Sequence, residues 1–331
     1  MAFNSPGTEE RPLRLPLTSR RRQVWLVSAV CVLLSLLGIA RSWTDAQIGF
    51  PLRPGLDFTG GTQIQLERIC ADSCDQLRTI AIEDALQQLE LPLQDGKPAP
   101  KLENARVQLL DRGQSVVLRM PALTAGQGQT VIEALEPVAG PFEAGGQSVD
   151  TIGPSLGGQL LRSSLISLLV AFTGIALYIT VRYDPRYAFL ALVALAHDIV
   201  IVCGIFAWLG LSTGLEVDSL FAVALLTIAG YSVNDTVVVF DRIRERQRMD
   251  GDLSLSMQVD RAVSATLTRT IYTSGTTLLP LLALILFGGS TLYWFAIALA
   301  LGVIVGSWSS IALAPSLLSI WPSRSGAAAS A

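Results

Sequence analysis

The sequence predicts an α-helical membrane protein in which six transmembrane helices carry one ferredoxin-like α+β domain between helices 1 and 2. Composition is the first observation: half of the 331 residues are apolar, 15% are charged, and the mean hydropathy is +0.48. Soluble globular domains carry about a quarter charged residues. The second observation is a set of apolar stretches of roughly 20 residues, the length that crosses a hydrocarbon core. A large soluble protein can also bury apolar helices, but five near-continuous stretches in the second half of the chain argue against that alternative.

The predicted transmembrane helices follow one another with a single long interruption. Helix 1 covers residues 24–42, and helices 2–6 lie within residues 161–320. Residues 1–23 and 321–331 are terminal tails, and residues 43–160 form the domain outside the membrane. The first stretch has the basic flank and apolar core of a signal peptide, but its length and the lack of a clear small-x-small cleavage site favour a retained helix. The later helices are expected at about 161–181, 188–211, 217–240, 270–287 and 292–320.

The distribution of arginine predicts the orientation. With six crossings, both tails, the turn between helices 2 and 3, and the region between helices 4 and 5 fall on one side of the membrane, and all of them are basic. Lys and Arg near segment ends favour the cytoplasmic side, so both termini are expected in the cytoplasm. Residues 43–160, with fifteen Asp/Glu against eight Lys/Arg, form an acidic exported domain. The arginines are Arg11, Arg14, Arg20, Arg21, Arg22, Arg182, Arg186, Arg242, Arg244, Arg246, Arg248, Arg261 and Arg324.

The exported domain has its own pattern of apolar residues. Alternation predicts strands at 62–67, 105–110, 115–120 and 147–152, and helical spacing predicts helices at 75–89, capped by Asp75, and 130–138. A hairpin turn is expected at 111–113. The resulting order β-α-β-β-α-β is the ferredoxin-like pattern. The domain has no His and its acidic residues are scattered, which favours a binding or docking module over an enzyme.

Two cysteines of the exported domain, Cys70 and Cys74, are candidates for a local disulfide or for two free thiols. Their C-x-x-x-C spacing, with no His or further Cys nearby, is a weak metal signal. No metal site and no cofactor are expected.

Ionisable residues within the predicted membrane helices are the candidate functional residues, because burying one there costs roughly 2.5–3.5 kcal/mol on insertion scales. Helix 3 carries His197 and Asp198, helix 4 carries Asp235, and Arg269 enters helix 5 from the cytoplasmic side. Asp235 and Arg269 are able to form a buried ion pair. If the pair separates, burial favours the protonated carboxyl group, and this alternation is what a proton relay requires. Further polar residues nearby are Ser232, Asn234, Thr270, Thr273, Ser274, Thr276 and Thr277.

Each of these residues also has a structural interpretation, and the sequence leaves these open. The Asp235–Arg269 pair can be static, and Arg269 can extend to the lipid headgroups. His197 can hydrogen-bond a neighbouring helix without titrating. The hydroxyl groups can serve helix packing, as can Gly230, which would let a neighbouring helix approach closely.

The chain carries six recognisable motifs: Gly55–Thr62, Ile152–Gly157, Ala196–Asp198, Gly230–Glu245, Arg269–Ser274 and Leu286–Gly289. Together they resemble the SecF family of the bacterial Sec export machinery, within the resistance–nodulation–division superfamily. They occur in family order from about residue 50 to 320, and the combination is highly specific. Two departures affect helix geometry: residues 259–264 lack the Asn-x-Ser pattern often found there, and Gly275 and Pro280 interrupt helix 5, where Pro280 would kink it.

The resemblance implies a non-enzymatic subunit that works with SecD, uses the proton motive force and assists the SecYEG channel in moving precursor proteins across the bacterial plasma (inner) membrane. YajC and membrane lipid are further possible partners, and no nucleic acid is expected. The family's proton-conducting residues correspond to Asp235, Arg269 and Thr273. Independently of the resemblance, the polar chemistry of His197, Asp198, Asn234 and Ser274 makes them possible supporting residues, and whether His197 and Asp198 join the relay stays open. The Gly-rich motif at the start of the exported domain corresponds to Gly55, Asp57, Gly60 and Gly61.

Two alternatives remain beside this function. One is a small-molecule exporter of the same superfamily, against which the single small outer domain argues. The other is a passive scaffold whose buried charges are purely structural. Direct use of ATP is not expected, because the chain has no G-x-x-x-x-G-K-[ST] loop.

Overall fold

A computed structural model describes residues 16–70, 74, 77–92, 99–102, 105–110, 113–250 and 252–321. The chain divides into two compact units. A helical unit comprises Met1–Arg53 and Ile166–Ala331, and an α+β unit comprises Pro54–Leu165.

Six helices among the described residues are long and apolar enough to cross a membrane, as the sequence predicts. A 3₁₀ turn, Thr18–Arg20, leads into the first of them, and the last spanning segment consists of three consecutive helical pieces. The helices are α1 (Arg21–Thr44), α5 (Pro154–Arg182), α6 (Pro185–Thr213), α7 (Ser219–Met249), α8 (Leu255–Phe287) and α9 (Gly289–Trp308), followed by a π-helical turn (Ser309–Leu313) and α10 (Ala314–Leu318).

The helices around the basic region are longer than the sequence predicts. Helix α7 continues to Met249 and α8 begins at Leu255, so most of the expected loop between helices 4 and 5 is helix. Hydropathy detects only the apolar part of a helix, whereas capping decides where it starts: the Ser254 side chain accepts a hydrogen bond from the Met257 N–H. Helix α8 also continues through Pro280 to Phe287, although the sequence predicts an interruption there.

Small residues set the packing of the helical unit. The buried positions of α1 include Ser28, Ser35 and Ser42, and α1 packs against α6. A Cβ atom on Gly204 of α6 would lie 2.1 Å from the Ser35 Cβ, so only glycine permits this approach. For each spanning helix we compared the buried share of its most apolar 18 residues. This share is 56% for α6, for α7 and for the last segment, but only 6% for α5 and 11% for α8. Helices α6, α7 and α9 therefore form the centre of the unit.

The last spanning segment changes helix type before its end. Within Ser309–Leu313 the backbone is π-helical, and the Ala314 N–H donates to the Ser309 carbonyl oxygen, five residues back. Pro315 has no N–H and cannot donate to the carbonyl of Ile311, so a regular α-helical ladder cannot continue at this point. A π-helical turn is a rare local feature that occurs frequently at functional sites.

The described residues of the α+β unit form an antiparallel sheet of strand order β2-β3-β1-β4. Because β1 and β2 are separated by β3 and joined through a helix, the unit is a split β-α-β arrangement, and the predicted ferredoxin-like fold is confirmed. The elements are α2 (Leu56–Thr59), β1 (Gly61–Arg68), α3 (Thr79–Gln88), β2 (Arg106–Leu110), β3 (Ser115–Met120), α4 (Ala125–Ala139) and β4 (Phe142–Ile152).

One face of this sheet packs against α3 and α4. Ile64 of β1 lies opposite Leu118 of β3, and both are fully buried. Helix α4 begins five residues earlier than predicted, because Thr124 and Gln127 form a capping box that the apolar pattern does not reveal. Strand β4 also begins five residues earlier, at Phe142. The core consists of Ile64, Leu66, Ile82, Leu86, Leu102, Val116, Leu118, Met120, Leu123, Val131, Ile132 and Leu135.

Several predicted features lie outside the described residues. These are the cap Asp75, residues 111 and 112 of the hairpin turn, and residues 1–15 and 322–331 of the tails. Of the two alternatives for the cysteines, the structure has the disulfide between Cys70 and Cys74.

The Gly-rich motif forms a tight entry into the sheet. Gly55 caps the short helix α2, and Asp57 lies in its first turn. Gly60 and Gly61 have φ of +68° and +130°, which favour glycine. A Cβ atom on Gly61 would lie 2.7 Å from the Met120 carbonyl oxygen. The motif therefore lets the chain pass close to β3 as it enters β1.

Candidate functional site

Asp198 is the most deeply buried carboxylate of the helical unit described here. It lies on α6 and has no exposed surface. Its Oδ1 lies 2.9 Å from Nδ1 of His197. Its Oδ2 accepts hydrogen bonds from the hydroxyl of Ser232 on α7, at 2.6 Å, and from the hydroxyl of Ser309 on the π-helical turn, at 2.7 Å. Three different parts of the unit therefore hold this carboxyl group.

Asp235 lies on α7, one turn after Ser232, and is 7% exposed. Its Oδ2 accepts a hydrogen bond from the Ser310 hydroxyl at 2.8 Å, and its Oδ1 accepts a longer one from the Thr270 hydroxyl of α8 at 3.4 Å. Both donors are almost fully buried. The carboxyl group is therefore held by uncharged hydroxyls from two helices.

A third polar group extends this region towards α8. The Tyr231 hydroxyl donates to the Ser274 hydroxyl at 3.0 Å, and the Ser274 and Ser307 hydroxyls lie 2.5 Å apart. Because Tyr231 and Asp235 are four residues apart on α7, and Thr270 and Ser274 four apart on α8, each pair lies on one helix face. The same interface between α7 and α8 therefore carries Asp235 and this hydroxyl chain.

Helix α9 reaches the two carboxylates through glycines. A Cβ atom on Gly302 would lie 2.2 Å from Cγ1 of Ile228, and one on Gly306 would lie 3.3 Å from the Ser232 Cβ. The spacing Gly302-x-x-x-Gly306 is the small-residue pattern that lets membrane helices approach closely. Immediately afterwards, the π-helical turn places the neighbouring residues Ser309 and Ser310 against different carboxylates.

Arg269 differs from the sequence expectation. It is exposed, and no ion pair joins it to Asp235 in the part of the chain that the structure describes. The buried face of α8 carries Thr266, Thr270 and Ser274, at intervals of four. Arg269 precedes Thr270 by one residue, which turns its side chain by about 100° around the helix. The predicted buried pair is therefore absent from this conformation.

The remaining predicted residues lie either on exposed helix faces or on the buried interface. Thr273 lies on the exposed face of α8, where its hydroxyl donates to the carbonyls of Arg269 and Thr270. Asn234 is exposed on α7, and so is Gly230, where nothing lies within 4 Å of an added Cβ atom. The expected close helix approach at Gly230 is wrong, because that residue is on the outer face of α7. Ser274 is buried in the hydroxyl chain.

His197 has one nitrogen without a partner. Its side chain is 5% exposed, and Nε2 is buried with no hydrogen bond to any described residue. Since a neutral imidazole has one N–H donor and one acceptor nitrogen, the His197–Asp198 pair can hold a proton between the two side chains while Nε2 stays available to another partner.

Sequence reasoning missed four residues of this region: Tyr231, Ser307, Ser309 and Ser310. Two signals point to the serines. The Gly302-x-x-x-Gly306 spacing marks a close helix contact, and three serines follow within four residues of an otherwise apolar segment. The π-helical turn that directs two of them to different carboxylates had no evident signal.

The described residues contain no group of three His, Cys, Asp or Glu side chains that could hold a metal ion. The chemistry that the cluster can perform is acid–base chemistry. Each hydroxyl can donate to an ionised carboxylate or accept from a protonated one. Asp198 and Asp235 can therefore change protonation state without losing their hydrogen-bond partners.

Comparison with known proteins gives two family matches. The family described as "Protein export membrane protein SecD/SecF, C-terminal" matches residues 131–324, and the "SecD/SecF GG Motif" matches residues 46–67. The protein translocase subunit SecF of Prochlorococcus marinus is 60% identical over 300 residues, which cover 91% of this chain and 93% of that protein. SecF of Synechocystis sp. is 42% identical over 309 residues, with coverage of 93% and 95%.

Solved structures of a longer protein, SecDF, are also similar. The crystal structure of SecDF from Thermus thermophilus matches with a TM-score of 0.75 and 30% identity, over 95% of this chain and 39% of that one. SecDF in a super-membrane-facing form matches with a TM-score of 0.61 over 99% of this chain and 40% of that one. The chain therefore spans about two fifths of the length of these SecDF chains.

Proposed function

Because the chain belongs to the SecF family of protein translocase subunits, we propose that it uses the proton motive force to assist the movement of precursor proteins through the SecYEG channel. The membrane would be the bacterial plasma membrane, with both termini in the cytoplasm. The arginine-rich end of α7 supports this orientation, since basic residues near segment ends favour the cytoplasmic side. YajC and lipid headgroups are further expected partners.

This proposal depends mainly on one observation, the burial of the Asp235 carboxyl group among uncharged partners. This group is almost fully buried in a membrane helix, and hydroxyls from α8 and from the last spanning segment are its hydrogen-bond partners. A buried carboxylate with no cation within ion-pair distance is unfavourable, whereas its protonated form is not. A proton can therefore be held at this position and released when a positive charge approaches.

Arg269 is the candidate for that positive charge. Its exposed position on α8 leaves the guanidinium free to move towards or away from Asp235 when the helices rearrange. Approach of the guanidinium favours the ionised carboxylate, which then releases its proton; withdrawal favours proton uptake. Thr273, one turn further along the same exposed face, would position water for the transfer.

The exposed polar face of α8 supports the proposal that a SecD-like partner subunit packs against it. Arg269, Thr273 and Thr276 are polar residues on an exposed face of a membrane helix, and facing lipid there would be unfavourable for the arginine. Helices α5 and α8 also bury the smallest shares of their apolar residues. In Thermus thermophilus one SecDF chain contains a segment 35% identical to 81% of this chain, and that segment is only 34% of its length. A second subunit that covers this face would shield the Arg269 side chain from lipid.

Proton-driven rearrangement of the helices would move the ferredoxin-like domain, which would help to pull or release precursor proteins that leave the channel. The chain would act as a transport component without catalysis of a chemical reaction.

The test is pulse-chase export of a precursor in cells whose only copy carries Asp235→Asn, which retains the shape of the side chain but cannot exchange a proton. The matched control is Asp241→Asn, six residues later on α7, where the carboxylate is 51% exposed and contacts Arg244. Both variants must remain abundant and bound to the SecD partner.

We expect precursor to accumulate with Asp235→Asn and not with Asp241→Asn. If Asp235→Asn exports at the wild-type rate, proton exchange at this residue is not needed, and the passive-scaffold function is favoured instead.

A further inference from the structure

We propose that Asp198 is a second proton-binding carboxyl group, and that the π-helical turn Ser309–Leu313 couples it to Asp235. This inference rests on the proposed function, because it takes Asp235 to be a group that exchanges a proton. It adds a second site, on a different helix, and names the element that connects the two.

Burial is the first reason for placing a proton at Asp198. The residue has no exposed surface, and no Lys or Arg among the described residues forms an ion pair with it. Removing an ionised carboxylate from water costs several kcal/mol unless a cation or a full set of donors offsets that cost. Among the described residues, the titratable group within ion-pair distance of the Asp198 carboxyl is His197, at 2.9 Å.

The hydrogen-bond partners are the second reason. Ser232 and Ser309 carry hydroxyls, which serve as donors to a carboxylate or as acceptors from a carboxylic acid. The imidazole of His197 is equally adaptable through its Nδ1. None of these partners requires Asp198 to remain ionised, in contrast to an arginine. The buried Nε2 of His197, which has no partner among the described residues, leaves one position open for exchange of the proton.

The π-helical turn joins this site to Asp235. Ser309 and Ser310 are adjacent, yet the first bonds Asp198 on α6 and the second bonds Asp235 on α7. Their hydroxyls also bond carbonyls of their own helix, those of Gly306 and Ser307. The two sites are therefore not joined by a continuous chain of hydrogen bonds. Instead, a displacement of one serine moves the backbone that carries the other.

The π-helical geometry of this turn fixes the directions of the two serines. A π-helical turn contains one residue more than an α-helical turn, and each residue of an α-helix contributes about 100° of rotation. A change in the winding of this turn would rotate the two serines relative to the chain that follows, and the two carboxyl contacts would then not both be kept. Protonation of Asp235 reverses the direction of its hydrogen bond with the Ser310 hydroxyl, and the turn transmits that change to Ser309 and Asp198.

Described residues that titrate or carry charge lie beside both carboxyl groups. Those at Asp198 are His197 on the same helix and, through the turn, Asp235. The neighbourhood of Asp235 contains Arg269 on the exposed side of α8 and the Tyr231 hydroxyl, which is bonded to Ser274.

The experiment is infrared titration of the intact complex of this chain and its SecD partner, reconstituted in lipid, which follows protonated carboxyl groups as the pH changes. Asp198→Asn and Asp235→Asn assign the two signals. Ser309→Ala removes one donor of Asp198, and Ser319→Ala is the matched control, because this serine is also buried near the end of the last segment and its hydroxyl bonds the Ser316 carbonyl and neither carboxylate.

We expect two coupled steps in the wild-type complex, separated by more than about one pH unit. Loss of a hydrogen bond to a charged group, about 1.5–3 kcal/mol, corresponds to a shift of about one to two pH units. Ser309→Ala should shift the Asp198 midpoint by that amount and shift the Asp235 midpoint as well. Ser319→Ala should shift neither midpoint.

Two results would overturn the inference. If Asp198→Asn removes no pH-dependent carboxyl signal, Asp198 does not bind a proton. If Ser309→Ala leaves the Asp235 midpoint where Ser319→Ala leaves it, the turn does not couple the sites. If the Asp198→Asn variant fails to fold, Ser309→Ala still tests the inference, because it removes only one hydroxyl oxygen atom. Because the infrared signal does not depend on export, normal export by Asp235→Asn would count against the proposed function alone.

Discussion

The packing of α9 against α7 can be tested by a single methyl group. Gly302→Ala adds a Cβ atom that would lie 2.2 Å from Cγ1 and 2.5 Å from Cδ1 of Ile228. Ile228 is 1% exposed, so its side chain has no open space to enter. Either the side chain must change conformation or the helices must separate, and the second response would also withdraw Ser309 and Ser310 from the carboxylates.

The expected cost combines two effects of opposite sign. Overpacking a buried site costs about 1–3 kcal/mol, whereas Gly→Ala inside a helix stabilises by roughly 0.5–1 kcal/mol. At Gly302 the net change is therefore a destabilisation of up to about 2.5 kcal/mol. The control is Gly230→Ala, on the outer face of α7, where nothing lies within 4 Å of the added atom. There only the stabilising effect remains, so the two variants should differ by about 1–3 kcal/mol.

The assay is denaturant unfolding of the purified full chain in mixed micelles, with the free energy of unfolding compared between variants. A third variant isolates the clash: in an Ile228→Ala background, Gly302→Ala should no longer destabilise, and the two changes should be non-additive. The reasoning is refuted if Gly302→Ala is as stable as Gly230→Ala, because α9 would then not pack closely on α7.

Two further predictions concern the α+β unit. Thr124→Ala removes the hydroxyl of the capping box at α4 and should lower the free energy of unfolding by about 1 kcal/mol; Thr130→Ala, whose hydroxyl bonds only the Gly126 carbonyl on an exposed face, should change it by less than about 0.5 kcal/mol. Equal effects in pulse proteolysis would contradict the capping role. Reduction of the Cys70–Cys74 disulfide, which closes a five-residue loop, should cost about 2 kcal/mol. Reductant should have no such effect on the Cys70→Ser/Cys74→Ser variant, and an effect there would show that another group is responsible.

The membrane segments and the ferredoxin-like unit could be predicted because their signals are local. A helix that crosses a hydrocarbon core must be apolar over about 20 residues, and alternation in a strand follows directly from its two faces. The errors are at the ends of elements. Helix α7 extends past Phe240 through its basic residues, and α4 starts at a polar capping box. Polar helical turns have no apolar period, so hydropathy cannot locate them.

Burial of Asp235 could also be predicted, but its neighbours could not. The sequence favoured Arg269, since an arginine is the strongest partner for a buried carboxylate. The structure has Thr270 and Ser310 instead. One residue along α8 is about 100° of rotation, and the sequence does not state which face of α8 meets α7.

The sequence by itself determined that this chain has helices able to span a membrane, carries one small α+β domain and has ionisable groups at Asp198 and Asp235 within its membrane helices. These properties follow from composition and spacing along a single stretch of chain. Only the tertiary structure decided that Ser309 and Ser310, more than 70 residues from either carboxylate, hold both of them. Such contacts depend on how closely helices approach at Gly302 and Gly306 and on the rotation of each helix about its axis, and neither quantity is a property of one segment alone.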